Sequence, residues 1–212
     1  MLENIFELIY PTTCGICGKI CKESICNKCE IELKKSEINL LKYNKKQNLE
    51  SMHIYRYEGV IRGKIIDYKF NNKAYLYKTF SKIILKNEKI CGFLKKYDII
   101  IPVPIHKNRK LNRGYNQTEL IARELAKHSH LILEKNVLIK QKNIVSQSSL
   151  DRNKRKQNIK NAFNLKNEKK LFNKNILIFD DIYTTGSTIS ECVKNLKNAY
   201  PKKIGVLTIA KD

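Results

Sequence analysis

Asp180 and Asp181 stand side by side after the apolar run Ile176–Phe179 and just before the stretch Thr184-Thr185-Gly186-Ser187-Thr188. Two carboxylates can accept hydrogen bonds or hold a cation. Four hydroxyls can donate, and the glycine lets backbone approach a ligand closely. Where such a turn opens a helix, its first amides are unpaired and the helix dipole favours negative charge, so the turn is a cradle for a phosphate group. The two acids would repel that phosphate. They must therefore address another part of the same ligand: ribose hydroxyls, or a magnesium ion bridging to further phosphates. The implied ligand is a sugar phosphate. Helix capping alone would need one hydroxyl, not four. A nucleotide triphosphatase also ends an apolar strand in acids, but it needs a G-x-x-x-x-G-K-[ST] loop. The nearest stretch, Gly59–Ile65, is one residue short and ends in isoleucine.

A second chemistry lies near the start of the chain. Five of the seven cysteines fall between Cys14 and Cys29. Cys14 with Cys17, and Cys26 with Cys29, form two C-x-x-C pairs, each able to place two thiolates on one ion. Together they predict the closed tetrahedral site of structural zinc, with no open position for catalysis. Cys21 lies between the pairs as a spare or competing ligand. A redox use of C-x-x-C is the rival reading, which two pairs in tandem disfavour. So short a segment has little core of its own, and the metal would largely hold it folded. Clustering of this kind is not a disulfide framework and fits a reducing compartment.

These residues need elements to position them. Glu30–Asn48 reads as a charged helix passing into a linker, and Met52–Gly59 as a strand by its alternation. Val60–Phe70 and Tyr75–Leu85 have helical apolar spacing. Tyr97–Pro104 is a near-continuous apolar run, the mark of a strand buried on both faces. A basic turn, Ile105–Gln117, leads to an amphipathic helix over Gln117–His128. A further strand falls within Leu131–Lys140, and Gln141–Asn161 is polar and basic without apolar period. Ile176–Asp181 is a second central strand, Ser187–Tyr200 a helix and Lys203–Ala210 a last strand. Strands alternating with helices predict an α/β fold with a mostly parallel sheet, whose ligands sit beyond the carboxyl ends of the strands. Residues 1–50 are expected to form the four-cysteine segment with its linker, and residues 51–212 the α/β domain.

Lys and Arg number 42 against 20 Asp and Glu, a formal net charge of +22. Such a field attracts nucleic acid, acidic membrane or phosphorylated ligands. AT-rich codon usage is a competing source of lysine, though it does not obviously explain the shortage of acids. No apolar stretch approaches the roughly 20 residues of a membrane span. Met1–Tyr10 lacks a basic n-region and reads as a short amphipathic helix, not a secretory signal. A cytoplasmic protein is expected, with the inner face of the membrane as a peripheral station.

Ile176–Thr188 resembles the thirteen-residue signature of type I phosphoribosyltransferases, which bind 5-phosphoribosyl-1-pyrophosphate (PRPP). The resemblance implies that Asp180 and Asp181 contact the ribose hydroxyls and that Thr184, Thr185, Gly186, Ser187 and Thr188 hold the 5-phosphate. It makes Lys107 and Arg109 candidates for the pyrophosphate, whose leaving charge needs cations. A wider resemblance covers almost the whole chain: "LIYPTTCGICG", "DYKF", "RGYNQTELIARELA" and "SQSSLDRNKRKQNIKNAF" resemble the ComF (ComFC) family. It implies a zinc ribbon joined to a phosphoribosyltransferase-like domain and a part in DNA uptake during natural transformation. Arg113, Gly114, Asn116 and Gln117 would flank the PRPP site, with Gln147, Leu150, Arg155 and Asn158 on a mobile loop over it. Tyr115, where phenylalanine is usual, and the extra Cys21 depart from the family pattern.

Two functions follow from the resemblance. One is a PRPP-binding protein, with magnesium accompanying PRPP, that handles single-stranded DNA beside DNA-uptake machinery proteins. Bases would stack on Tyr43, Tyr55 or Tyr57, and Lys140–Lys170 would meet the DNA backbone. The other is an active phosphoribosyltransferase that releases pyrophosphate as it transfers phosphoribose to an unidentified acceptor. No catalytic residue or nucleophile pocket can be named, and no glutaminase segment precedes the domain, so ammonia delivery from glutamine is not expected. His106 reads as a phosphate contact or a surface histidine, and Cys91 and Cys192 as packing residues.

Overall fold

The computed structural model describes residues 11–45, 48–142 and 159–212. The predicted Met1–Tyr10 helix and the loop residues Gln147, Leu150, Arg155 and Asn158 lie outside the described residues. A six-stranded sheet has the order β1-β2-β8-β7-β3-β4. Its strands are β1 (Glu37–Asn44), β2 (Leu49–Arg56), β3 (Ile99–Pro102), β4 (Ile132–Leu133), β7 (Asn175–Tyr183) and β8 (Lys203–Lys211). Only the β1–β2 pairing is antiparallel. Strands β5 (Leu138–Lys140) and β6 (Phe163–Leu165) form a separate antiparallel pair. The α/β fold with a mostly parallel sheet is thus as the alternating pattern predicts.

The apolar runs explain the layers. Successive side chains of a strand point to opposite faces. Leu177 and Phe179 of β7, with Leu207 and Ile209 of β8, join one core cluster. Helices α2 (Gly59–Phe70), α3 (Leu76–Lys86), α4 (Glu88–Leu94) and α6 (Gln117–Lys127) cover that face. Ile176, Ile178, Ile204 and Val206 join the second cluster, covered by α7 (Ser187–Leu196) and the β5–β6 pair. Each such side chain, taken fully out of water, contributes about 1.5–3 kcal/mol. Both faces being covered, these strands carry no polar face until the two aspartates.

The charged stretch after the cysteines departs from expectation. Helix α1 spans only Asn27–Lys34, and Glu37–Asn44 is an edge strand, not a helix or linker. Ser36 Oγ donates to Leu33 O at 3.0 Å and closes the helix. A bulge lies between Glu37 and Leu40, with Asn39 at φ 40. The outer half of β1 is exposed, so its polar composition hides its strand character. The basic turn is likewise a helix in part, α5 (Lys107–Arg113), begun at His106 and ended by Gly114 at φ 81. Asn87 caps α4, which was not anticipated, by accepting from Ile90 N at 3.1 Å.

The cysteine segment docks on α3. Thr79 Oγ1 donates to Ser24 O at 2.9 Å, and Glu23 pairs with Lys82 and Lys86 at 3.3 and 2.8 Å. Cys14, Ile25, Cys29 and Leu33 are buried in the same cluster as Leu76 and Phe80. The segment therefore borrows its core from the α/β layer. Among the described residues no helix is long and apolar enough to cross a membrane.

Candidate functional site

The two acids are nearly inaccessible: Asp180 is 8% and Asp181 3% exposed. Being neighbours on β7, they serve opposite faces of the sheet. Asp181 lies on the side of α2 and α6. Its Oδ1 is 2.8 Å from Lys69 Nζ, and its Oδ2 accepts from Gln117 Nε2 at 3.0 Å. Asp180 accepts from the Asp181 amide at 2.9 Å and feels the charge of Lys140 on β5. Burial, then the negative charge of Asp181, push the Asp180 carboxyl well above the usual range; Lys69 and Lys140 offset this in part. Asp181 thus has a firm cation partner, whereas ionisation of Asp180 is costly.

Beyond β7 the chain enters the hydroxyl loop. Gly186 is the residue before α7 and has φ 73, the left-handed region. A Cβ there would also press on the Tyr183 ring, so any other residue would be strained and would have to displace that ring. Thr185 Oγ1 and Ser187 Oγ lie 2.8 Å apart. Thr184 is exposed, while Thr185, Ser187 and Thr188 are half-buried. The loop caps a ten-residue helix, whose first amides and dipole suit an anion.

Cations surround the acids. Arg113 is half-buried and donates to Gln117 Oε1, so Arg113, Gln117, Asp181 and Lys69 form one chain of contacts. Burial first lowers Lys140, and the Arg109 charge lowers it further. The same Arg109 charge reaches Arg113. Lys107 is exposed on α5 and, with Lys110, Lys135 and Lys140, lines a cleft of 580 Å³. Asn116 caps α6 through Thr118 N at 3.3 Å, and its Nδ2 donates to Val103 O at 3.3 Å.

Structure therefore joins Gln117 to Asp181 directly and Arg113 to it through Gln117. Lys107 lines the cleft that Lys140 also borders. Lys69 and Lys140 were missed as site residues. The first sits inside "DYKF"; the second ends an apolar run and carries no signal of its own. Two expectations are corrected. His106 is buried, not at the surface, and its Nδ1 accepts from Asn108 N at 3.3 Å. Tyr55 is 3% exposed, since β2 is covered by the first cluster, and cannot present a stacking face. Cys192 is buried in the second cluster, and Cys91 donates to Leu85 O at 3.2 Å, as packing residues would.

At the other end, the Sγ atoms of Cys14, Cys17, Cys26 and Cys29 lie within 4.8 Å of one another, and those of Cys17 and Cys26 are 3.8 Å apart. A tetrahedral site with metal–thiolate bonds of about 2.3 Å would separate its sulfurs by about 3.8 Å. The four cysteines fit a structural metal. Burial raises the Cys14 thiol, but backbone hydrogen bonds from Cys17, Cys26 and Ile16 bring it down to about 6. Cys21 stands outside this set and donates to Glu23 O at 2.8 Å.

The fold and loop define a class. The family model for the phosphoribosyl transferase domain matches residues 116–212, which hold the acid pair, the hydroxyl loop and Gln117. The chain is 32% identical over 148 residues to competence protein F of Haemophilus influenzae, covering 68% of this chain and 65% of that protein. It is 30% identical over 132 residues to the DNA utilization protein YhgH of Escherichia coli K12, covering 60% and 57%. It is 28% identical over 181 residues to competence protein ComFC of Bacillus subtilis, covering 83% and 68%. The chain is a ComF/ComFC-like protein carrying a phosphoribosyl transferase domain. The match spans less than two thirds of the Haemophilus and Escherichia proteins.

The acid pair yields a prediction for stability. Asp180 has a folded pKa above its unfolded value, so its carboxylate costs stability progressively as pH rises above the ordinary range near 4. Asp180→Asn should melt higher than the wild-type chain at pH 8, with the gap closing towards pH 5. Asp181→Asn removes the partner of Lys69 and should cost about 1–3 kcal/mol. Thermal unfolding by circular dichroism at both pH values reads the two effects.

Proposed function

We propose that this chain binds PRPP with magnesium and serves DNA uptake in natural transformation, handling single-stranded DNA in the cytoplasm or at the inner face of the membrane. One observation carries the sugar-phosphate part: a buried acid pair and a glycine–hydroxyl loop follow one another along β7 into α7. The acids suit ribose hydroxyls, and the loop Thr184–Thr188 suits the 5-phosphate. Arg109, Arg113, Lys69 and Lys140 supply cations for the pyrophosphate end. Magnesium, when bound with PRPP, would bridge its phosphates; Asp180 and Asp181 are the acids that could approach it. The names of the relatives, competence and DNA utilization, support the DNA part. Residues 1–50, which carry the metal segment together with β1 and the start of β2, and residues 51–212 are the two units proposed for the metal segment and the ligand-binding domain.

Isothermal titration with PRPP and magnesium tests this reading. Asp180→Asn combined with Asp181→Asn should weaken binding at least about tenfold, the value of a hydrogen bond to a charged group. A wild-type chain that takes up no PRPP would end the proposal. Product analysis in the same mixture addresses the alternative: an active transferase releases pyrophosphate when its acceptor is supplied, whereas a binder leaves PRPP intact.

The metal of the four-cysteine site is proposed to be zinc. Purified chain should carry one zinc per molecule by atomic emission. Cys17→Ser should lower that content, and chelation should lower the melting temperature.

Single-stranded DNA binding should fall steeply with salt, since each phosphate met by lysine releases a counterion. The logarithmic slope is about −0.7 per phosphate contact. Fluorescence anisotropy with a labelled oligothymidylate between 50 and 200 mM salt measures it, and a flat response would remove the DNA part of the proposal.

A further inference from the structure

Helix α2 ends at a junction that the sugar-phosphate site does not account for. Five contacts bind its last turn to residues 113–117 and to β7. Tyr68 Oη donates to Gln117 O at 2.8 Å, and Tyr115 Oη donates to Tyr68 O. The Tyr68 and Tyr115 rings stack with centroids 5.6 Å apart. Lys69 holds Asp181. The fifth contact is Arg113, whose guanidinium carbon lies 5.5 Å from the centroid of the Phe70 ring. Tyr68 is wholly buried, yet Phe70, two residues on, is 64% exposed. What sets this exposed ring apart is its place: one residue from the cation on the site's acid and against a guanidinium that is itself linked to that acid.

We infer that Phe70 and Arg113 form a stacking platform for a planar nucleobase beside the acid pair. An aromatic ring braced by arginine offers a π surface and a cation together, which suits any base without selecting its hydrogen-bonding edge. The surrounding charge is positive, with Arg109 acting on Arg113, so a base attached to phosphate is drawn to this place. The platform differs from the stacking tyrosines expected from sequence, of which Tyr55 is buried. It rests on the proposed DNA or acceptor reading, because both supply a base: one from single-stranded DNA, the other as a free acceptor.

The test uses the full chain and three probes: 2-aminopurine riboside, a twelve-nucleotide strand with one 2-aminopurine, and the same strand made abasic at that position. Quenching reads stacking of the two fluorescent probes, and competition reads the abasic strand. Phe70→Ala and Phe70→Leu should weaken binding of the base-containing strand about five-fold or more, with Phe70→Tyr restoring it. The abasic strand should bind the wild-type chain as weakly as the intact strand binds Phe70→Ala. Quenching of the riboside as well assigns the platform to a free base; quenching of the strand alone assigns it to DNA. Thermal unfolding establishes that the variants are folded. Wild-type affinity in folded Phe70→Ala, or no quenching of either probe by the wild-type chain, would overturn the inference. Failure of PRPP to bind, measured separately, would strike the sugar-phosphate reading and leave the platform standing.

Discussion

Two adjacent carboxylates buried at the end of a central strand are the constraint around which this molecule is arranged. Ionising both without compensation would be costly, since each loses its water and repels the other. The compensation comes from separate places because neighbouring strand residues face opposite layers. Asp181 is served by Lys69 of α2 and Gln117 of α6. Asp180 is served by its neighbour's amide and the field of Lys140. Helices α2 and α6 and the β5–β6 pair thus all converge on two side chains. A polar cluster that contributes so little to packing and demands so many partners is best explained by a ligand.

Sequence alone made the sheet legible because its signal is strong. Runs such as Ile99–Ile101 and Ile176–Phe179 can only be buried on both faces, and they pair as neighbours, β3 beside β7. The acid pair and the hydroxyl loop were legible for a different reason: their residue types are wrong for packing and right for a ligand. The edge strand β1 was not legible. Its exposed outer residues are Leu41, Lys42, Tyr43 and Asn44, a mixed composition that a solvated helix or linker shares. Lys69 and Lys140 were illegible among the many lysines, since only tertiary contact singles them out.

The metal segment shows a related limit. The four cysteines announce themselves by spacing, and their sulfurs converge as two knuckles require. Spacing says nothing of where such a segment rests. Thr79, Ser24 and the Glu23 ion pairs lay it along α3, and Leu33 and Ile25 fill the same core as Phe80. A metal held by the four cysteines would therefore be linked to the sheet in stability, since the segment it fixes covers a portion of the core that α3 shares with α6.

Charge and recognition operate at different ranges. Many acids of the described residues are already engaged: Glu119 meets Lys110, Arg123 and Lys135, and Glu50 meets Lys96 and Lys203. Such pairs cancel locally, so the excess of +22 is carried by the remaining lysines and arginines. That excess draws any polyanion and is weakened by salt within a Debye length of about 8 Å at physiological strength. It cannot distinguish a sugar diphosphate from a DNA strand. Discrimination falls to groups that work by contact: the acid pair, the glycine loop and the exposed ring of Phe70. The first two are at the carboxyl end of β7, and the third is tied to them through Lys69 and Arg113. On the proposed reading these would serve as acceptors for hydroxyls, amides for a phosphate and a face for a base, the three parts of a nucleotide.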